Sequence, residues 1–128
     1  MKPTVFLFGE AEKGEYCIPY LCKSVGQLMD NFGNPPEESM GIHFAIQTLL
    51  FNRDLVFFRV KEEGFSIQDY KKGLRLLQIK ESIPILSAIY IPGIGDNEVI
   101  QEATDICHIH KSLMVLTEKD LYDYLTTV

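Results

Sequence analysis

Four short apolar runs, at residues 5–8, 55–60, 85–91 and 113–116, constrain the fold of this chain more than any other feature. None alternates cleanly between apolar and polar positions. Continuous runs of this length suit strands covered on both faces. Each is separated from the next by a segment of helical periodicity, and strands alternating with helices imply parallel pairing through βαβ crossovers. The expected architecture is therefore α/β: a three-layer α-β-α sandwich around a mostly parallel central sheet of four to five strands. At 128 residues the chain suits one domain, residues 1–128.

The helical segments carry start and stop signals. Ser24 followed by Gln27 has capping-box spacing, and Gly33 closes that short helix. A helix is expected over residues 37–52, entered through Pro35 and Pro36, with Met40, Phe44, Ala45 and Leu49 facing inward. Ser66 with Asp69, and Thr117 with Asp120, have the spacing of capping boxes with a shorter acid. Asp96 is placed to cap a helix running to about His110, whose stripe is Val99, Ile100, Ala103, Ile106 and Cys107. Residues 16–22 are apolar but contain Pro19, so they read as an edge strand or extended loop, with Tyr16, Ile18 and Tyr20 as the candidate interaction residues.

Composition removes several functions. The formal charge of −6 repels phosphate backbones, and the densest basic group, Lys71, Lys72 and Arg75, reads as a solvated helix face, so no nucleic-acid partner is expected. No run approaches the ~18 apolar residues of a membrane span. The odd cysteine count, Cys17, Cys22 and Cys107, and the lack of a signal-like N-terminus suit reduced thiols in the cytoplasm.

Open parallel sheets bind ligands beyond the carboxyl ends of their strands, so the loops there are the candidate sites. The first, from Gly9 to Gly14, has two glycines and Lys13. It lacks the Gly-Lys-Ser/Thr ending of a P-loop and holds Glu10 and Glu12, which repel phosphate. The loop Pro92, Gly93, Ile94, Gly95, Asp96 opens a helix, a weak anion signal that a capping Asp96 would already use. Glu10 and Asp96 invite comparison with the Mg²⁺ site of response-regulator receiver domains, but Pro92 stands after the third run where a phosphoacceptor Asp is needed. Cys107 and His110 make half a metal site at best, and Ser39 with His43 lacks an orienting acid and an oxyanion hole. No catalytic residue, metal or cofactor is expected. If a ligand binds, its candidates are Gly9, Glu10, Pro92, Gly93 and Asp96.

The order of these pieces resembles the phage tail sheath family, in particular its subtilisin-like α/β domain. Gly9, Lys13 and Gly14 stand as in the sheath's opening Gly-x-Ala-x-Lys-Gly. Ser24, Leu28, Phe32 and Gly33 are similar to its Ser-to-Phe-Gly helix. Arg59 and Val60 resemble its Arg-Val strand end, and Pro92, Gly93 and Asp96 its Ile-Pro-Gly-x-x-Asp. The resemblance spans about residues 5–121. Sheath subunits are several times longer and carry an inserted domain after the Arg-Val strand, where this chain has only residues 61–65. The subtilisin-like label concerns topology, and the Gly-Thr-Ser setting of a protease nucleophile is absent. The resemblance implies a structural protein of a contractile tail or injection system. Its partners would be further copies of itself or other tail-like proteins, and it would sit in the cytoplasm or in an assembled particle. The alternatives are a non-assembling adaptor of such a complex and a small ligand- or metal-binding α/β domain.

Overall fold

A computed structural model describes residues 2–127. Its elements are β1 (Thr4–Gly9), β2 (Tyr20–Cys22), α1 (Val25–Phe32), α2 (Gly41–Leu50), β3 (Asp54–Arg59), α3 (Ile67–Leu76), a 3₁₀ turn (Lys80–Ser82), β4 (Leu86–Tyr90), α4 (Asn97–His110), β5 (Leu113–Val115) and α5 (Glu118–Thr126). The sheet order is β2-β3-β1-β4-β5. β3, β1, β4 and β5 run parallel, and β2 joins β3 antiparallel. The expected three-layer α/β sandwich is thus the observed one, with a five-stranded sheet.

The absence of alternation in the apolar runs has a direct cause: both faces of the central strands are buried. Val5, Leu7, Leu55, Phe57, Ala88 and Tyr90 pack on one face beneath α1, α2 and α5. Phe6, Phe8, Phe58, Ile89 and Ile91 pack on the other beneath α3 and α4. The second layer is held close by Gly73, where an added Cβ would lie 2.3 Å from Cε2 of the Phe8 ring. Phe8 in turn stacks on Tyr70 and touches Phe6 and Phe58.

Several local expectations need correction. The second helix begins at Gly41, not near residue 37, because Pro35, Pro36 and a left-handed Glu38 (φ 61°) hold the chain outside a helix. Met40 is consequently exposed rather than inward, and Leu49 is only partly buried, while Ile42 takes the core position. Ser66 does not cap α3 with its side chain; Asp69 turns away to accept from the Lys61 N–H at 2.9 Å. The third run starts as strand at Leu86, and Ile85, following Pro84, stays in solvent. The last strand ends at Val115 rather than residue 116. Of residues 16–22, only Tyr20–Cys22 form strand, while Tyr16 makes an isolated bridge to Arg59.

Other signals act as read. Ser24 Oγ accepts from the Gln27 N–H, although Gln27 returns its bond to Lys23 rather than to Ser24. Asp96 caps α4 by accepting from the Val99 N–H at 3.0 Å. Thr117 and Asp120 complete a reciprocal capping box on α5. Along α4, Val99, Ala103 and Ile106 are buried, with Ile100 and Cys107 packed at their margin.

Candidate functional site

The chain leaves β1 for β3 on one side and later reaches β4 on the other, so the strand order reverses at β1. In an open α/β sheet the crevice beyond this reversal is the usual ligand position. Of the sequence candidates, Gly9 ends β1 with Glu10 directly after it, and Pro92 and Gly93 follow β4. A third loop, residues 60–66 after β3, crosses over the end of β1 and lies between them.

Glu63 anchors that crossing. Its Oε1 accepts from the backbone N–H of Glu10 at 3.1 Å and of Gly41 at 3.0 Å, and from Ser39 Oγ at 2.9 Å. Its Oε2 accepts from the Met40 N–H at 2.7 Å. Glu10 replies by accepting from the Glu63 N–H through Oε2 at 2.9 Å. The Glu63 carboxylate therefore occupies the N-terminus of α2, where unpaired N–H groups and the helix dipole favour an anion. The fit is close: a Cβ on Gly41 would stand 2.7 Å from Glu63 Oε1 and 2.9 Å from Gly9 Cα.

The next residue closes the far side. Gly64 has φ +88°, and a Cβ there would meet the Gly93 carbonyl oxygen at 2.6 Å. Its N–H donates to the Tyr70 hydroxyl at 2.6 Å. Burial, foremost, drives the Tyr70 phenol far above its ordinary pKa of 10.0, which keeps it a neutral partner for this bond. Burial alone would raise the Asp69 carboxyl, but hydrogen bonds from Lys61, Cys17 and Ser66 outweigh it and hold it below 3.8. Asp69 and Tyr70, on the first turns of α3, thus pin the loop that covers the crevice. Position by position, Gly9 and Pro92 are buried in this packing, Glu10 is bonded to Glu63, Gly93 forms a left-handed turn against Gly64, and Asp96 caps α4.

The remaining family-like residues also have structural work. Arg59 donates to the carbonyls of Gly14 and Ala11 and lies 4.1 Å over the Tyr16 ring, clamping the loop after β1. The N–H groups of Glu12 and Lys13 both donate to Phe32 O, and Gly14 sits tightly against the Phe32 ring with φ +103°. Gly33 takes a left-handed φ against Glu12. Between these loops runs a groove of about 230 Å³ lined by Glu10, Glu12, Tyr16, Asn34 and Arg59.

The thiols and histidines do not gather. Burial pushes Cys22 up to about 11, and burial, then the Asp69 carboxylate, raises Cys17. His110 Nε2 bonds the Leu77 carbonyl at 2.8 Å, which leaves Cys107 and His110 in separate roles. Ser39 is committed to Glu63, away from any role with His43. Among the described residues no group of His, Cys, Asp and Glu could hold a metal ion. No helix there is long and apolar enough to cross a membrane.

Phe65, in the loop over the crevice, is 75% exposed, and further exposed apolar groups line the sheet borders. Along the β2 border Tyr16, Ile18, Tyr20 and Leu21 are 42–50% exposed. β2 packs beneath α1 on one face, while on the other Leu21 borders a groove of about 320 Å³ with Val56, Ile83, Pro84 and Ile85. At the opposite border Leu113 of β5 is also exposed. Glu63 and Leu21 were not singled out by sequence reasoning. An acid in a polar loop carries no local sign of a bond to a helix more than twenty residues away, though the Gly64 beside it marks a turn.

Comparison of the chain with family models, curated proteins and solved structures gives no match.

Proposed function

We propose that this protein is a structural or interaction subunit, similar to the core domain of a contractile-tail sheath, that works through its exposed sheet borders rather than by chemistry. The observation that carries the reading is the half-exposed apolar row of Tyr16, Ile18, Tyr20 and Leu21 beside a sheet edge. Apolar side chains next to unpaired strand N–H and C=O groups favour addition of another strand. The crevice at the strand ends supports the same reading from the other direction, because Glu63 and the Gly64–Gly93 contact fill it with the chain's own atoms. The ordered agreement from Gly9 to Asp96 with the sheath pattern supplies the family context.

Light scattering with negative-stain microscopy of the purified protein tests the proposal. Rings, tubes or filaments growing with concentration are expected. A particle that stays monomeric at high concentration and pairs with no tail-like protein would refute it. A fixed stoichiometric complex that never propagates would identify an adaptor instead.

A further inference from the structure

The ladder registers can be followed across the whole sheet. Tyr20 lies level with Phe57, Leu7, Tyr90 and Val115; Leu21 with Val56, Phe6, Ile89 and Met114; Cys22 with Leu55, Val5, Ala88 and Leu113. The two border strands therefore span the same three rungs, with no vertical offset. They run in opposite directions, since β2 alone is antiparallel to the rest. Side chains alternate faces along a strand, so Leu21 and Met114 share one face, and Tyr20 and Val115 the other.

We infer that β2 of one copy pairs antiparallel with β5 of the next, extending a single sheet through successive copies. The inference rests on the self-assembly reading and specifies its contact. In this junction Tyr20 stands opposite Val115, Leu21 opposite Met114 and Cys22 opposite Leu113, all face-matched. Pro19, which lacks an N–H, lies just above these three rungs and removes no bond from them. The half-exposed Tyr16, Ile18, Tyr20 and Leu21 present roughly 300–400 Å² of surface, about half of the ~800 Å² each partner contributes to a stable interface. An isolated peptide strand covers little more than that row, whereas a folded copy adds the flanks of its helices. The area calls for a folded partner, and the level, face-matched rungs of β2 and β5 select a second copy as that partner. The contact is heterologous, so it propagates rather than closing as a two-fold dimer. Each copy advances the sheet by five strands, about 24 Å at ~4.8 Å per strand, and turns it by about 100–125°, giving roughly three copies per turn.

Single lysines at either border test the junction, because charged side chains there are a natural means of blocking strand addition. Leu21→Lys leaves β5 intact and Leu113→Lys leaves β2 intact; both positions are exposed, so each variant should melt like the parent chain at dilutions where the parent is dissociated. The parent chain is expected to form open polymers with an axial repeat near 24 Å. Each variant alone should sediment as one chain, and an equimolar mixture should form a one-to-one dimer and grow no further. Dimers of Leu113→Lys alone would show a β2–β2 two-fold contact and overturn the inference, as dimers of Leu21→Lys alone would for β5. Variants that polymerise like the parent would overturn the junction but leave the assembly reading standing. A parent chain that never associates would refute both.

Discussion

Replacing Glu63 by alanine removes one carboxylate and strands the donors it serves. Of these, Ser39 Oγ and the Gly41 N–H lie in buried residues and the Glu10 N–H in a partly buried one; the Met40 N–H can turn to water. A buried donor left without a partner costs about 1–3 kcal/mol, and losing an anion at a helix N-terminus about 0.3–1 kcal/mol more. Some water enters the vacated space, so the expected loss is about 3–5 kcal/mol, a large part of the ~5–15 kcal/mol typical of a domain. Glu63→Gln keeps one acceptor but turns an NH₂ toward a backbone donor and drops the charge, for about 1–2 kcal/mol. Urea unfolding followed by circular dichroism at neutral pH, on both variants, measures the difference. An unfolding free energy for Glu63→Ala within about 0.5 kcal/mol of the parent would refute the claim that this carboxylate holds the crevice shut.

Other residues give independent tests. Gly73→Ala gains about 1 kcal/mol of helix propensity but forces a Cβ onto the Phe8 ring, which three aromatic neighbours hold; overpacking of about 1–3 kcal/mol should win, so thermal melting should show a net loss. Asp69 is held below 3.8, so its contribution is complete above that pH and fades as pH falls through its lower folded value; Asp69→Asn should be less stable than the parent at neutral pH and converge with it in acid, as read from denaturant midpoints across pH. Asp96→Ala should cost about 1 kcal/mol as a lost cap, with the melting temperature unmoved by Mg²⁺ in either protein. Cys22, buried and raised to about 11, should resist maleimide in the folded state and react on unfolding, as mass spectrometry would show.

The sheet was legible because burial on both faces writes itself as unbroken apolar runs, as at Val5 to Phe8. The peripheral place of residues 16–22 was legible through Pro19, which excludes a central strand, but the antiparallel direction of Tyr20–Cys22 was not. The start of α2 was not, because its N-terminal anion comes from Glu63 in a distant loop, and a left-handed Glu38 delays the helix. Asp69 misled for the same reason: its spacing from Ser66 is local, but its partner, Lys61, is set by how the β3–α3 loop turns. Gly9, Glu10, Pro92 and Gly93 follow their strands as the element order requires, while Asp96 is taken up as the cap of α4. That the crevice is filled depends on Gly64 meeting Gly93, a contact between loops that no spacing rule encodes.

Backbone hydrogen exchange at rising protein concentration tests the borders directly. The amides of Leu21 and Met114 should slow together as concentration increases, while those of Phe6 and Leu7, already paired inside the sheet, keep their rates. Equal rates for Leu21 and Met114 at all concentrations would contradict a protein that works through its open edges.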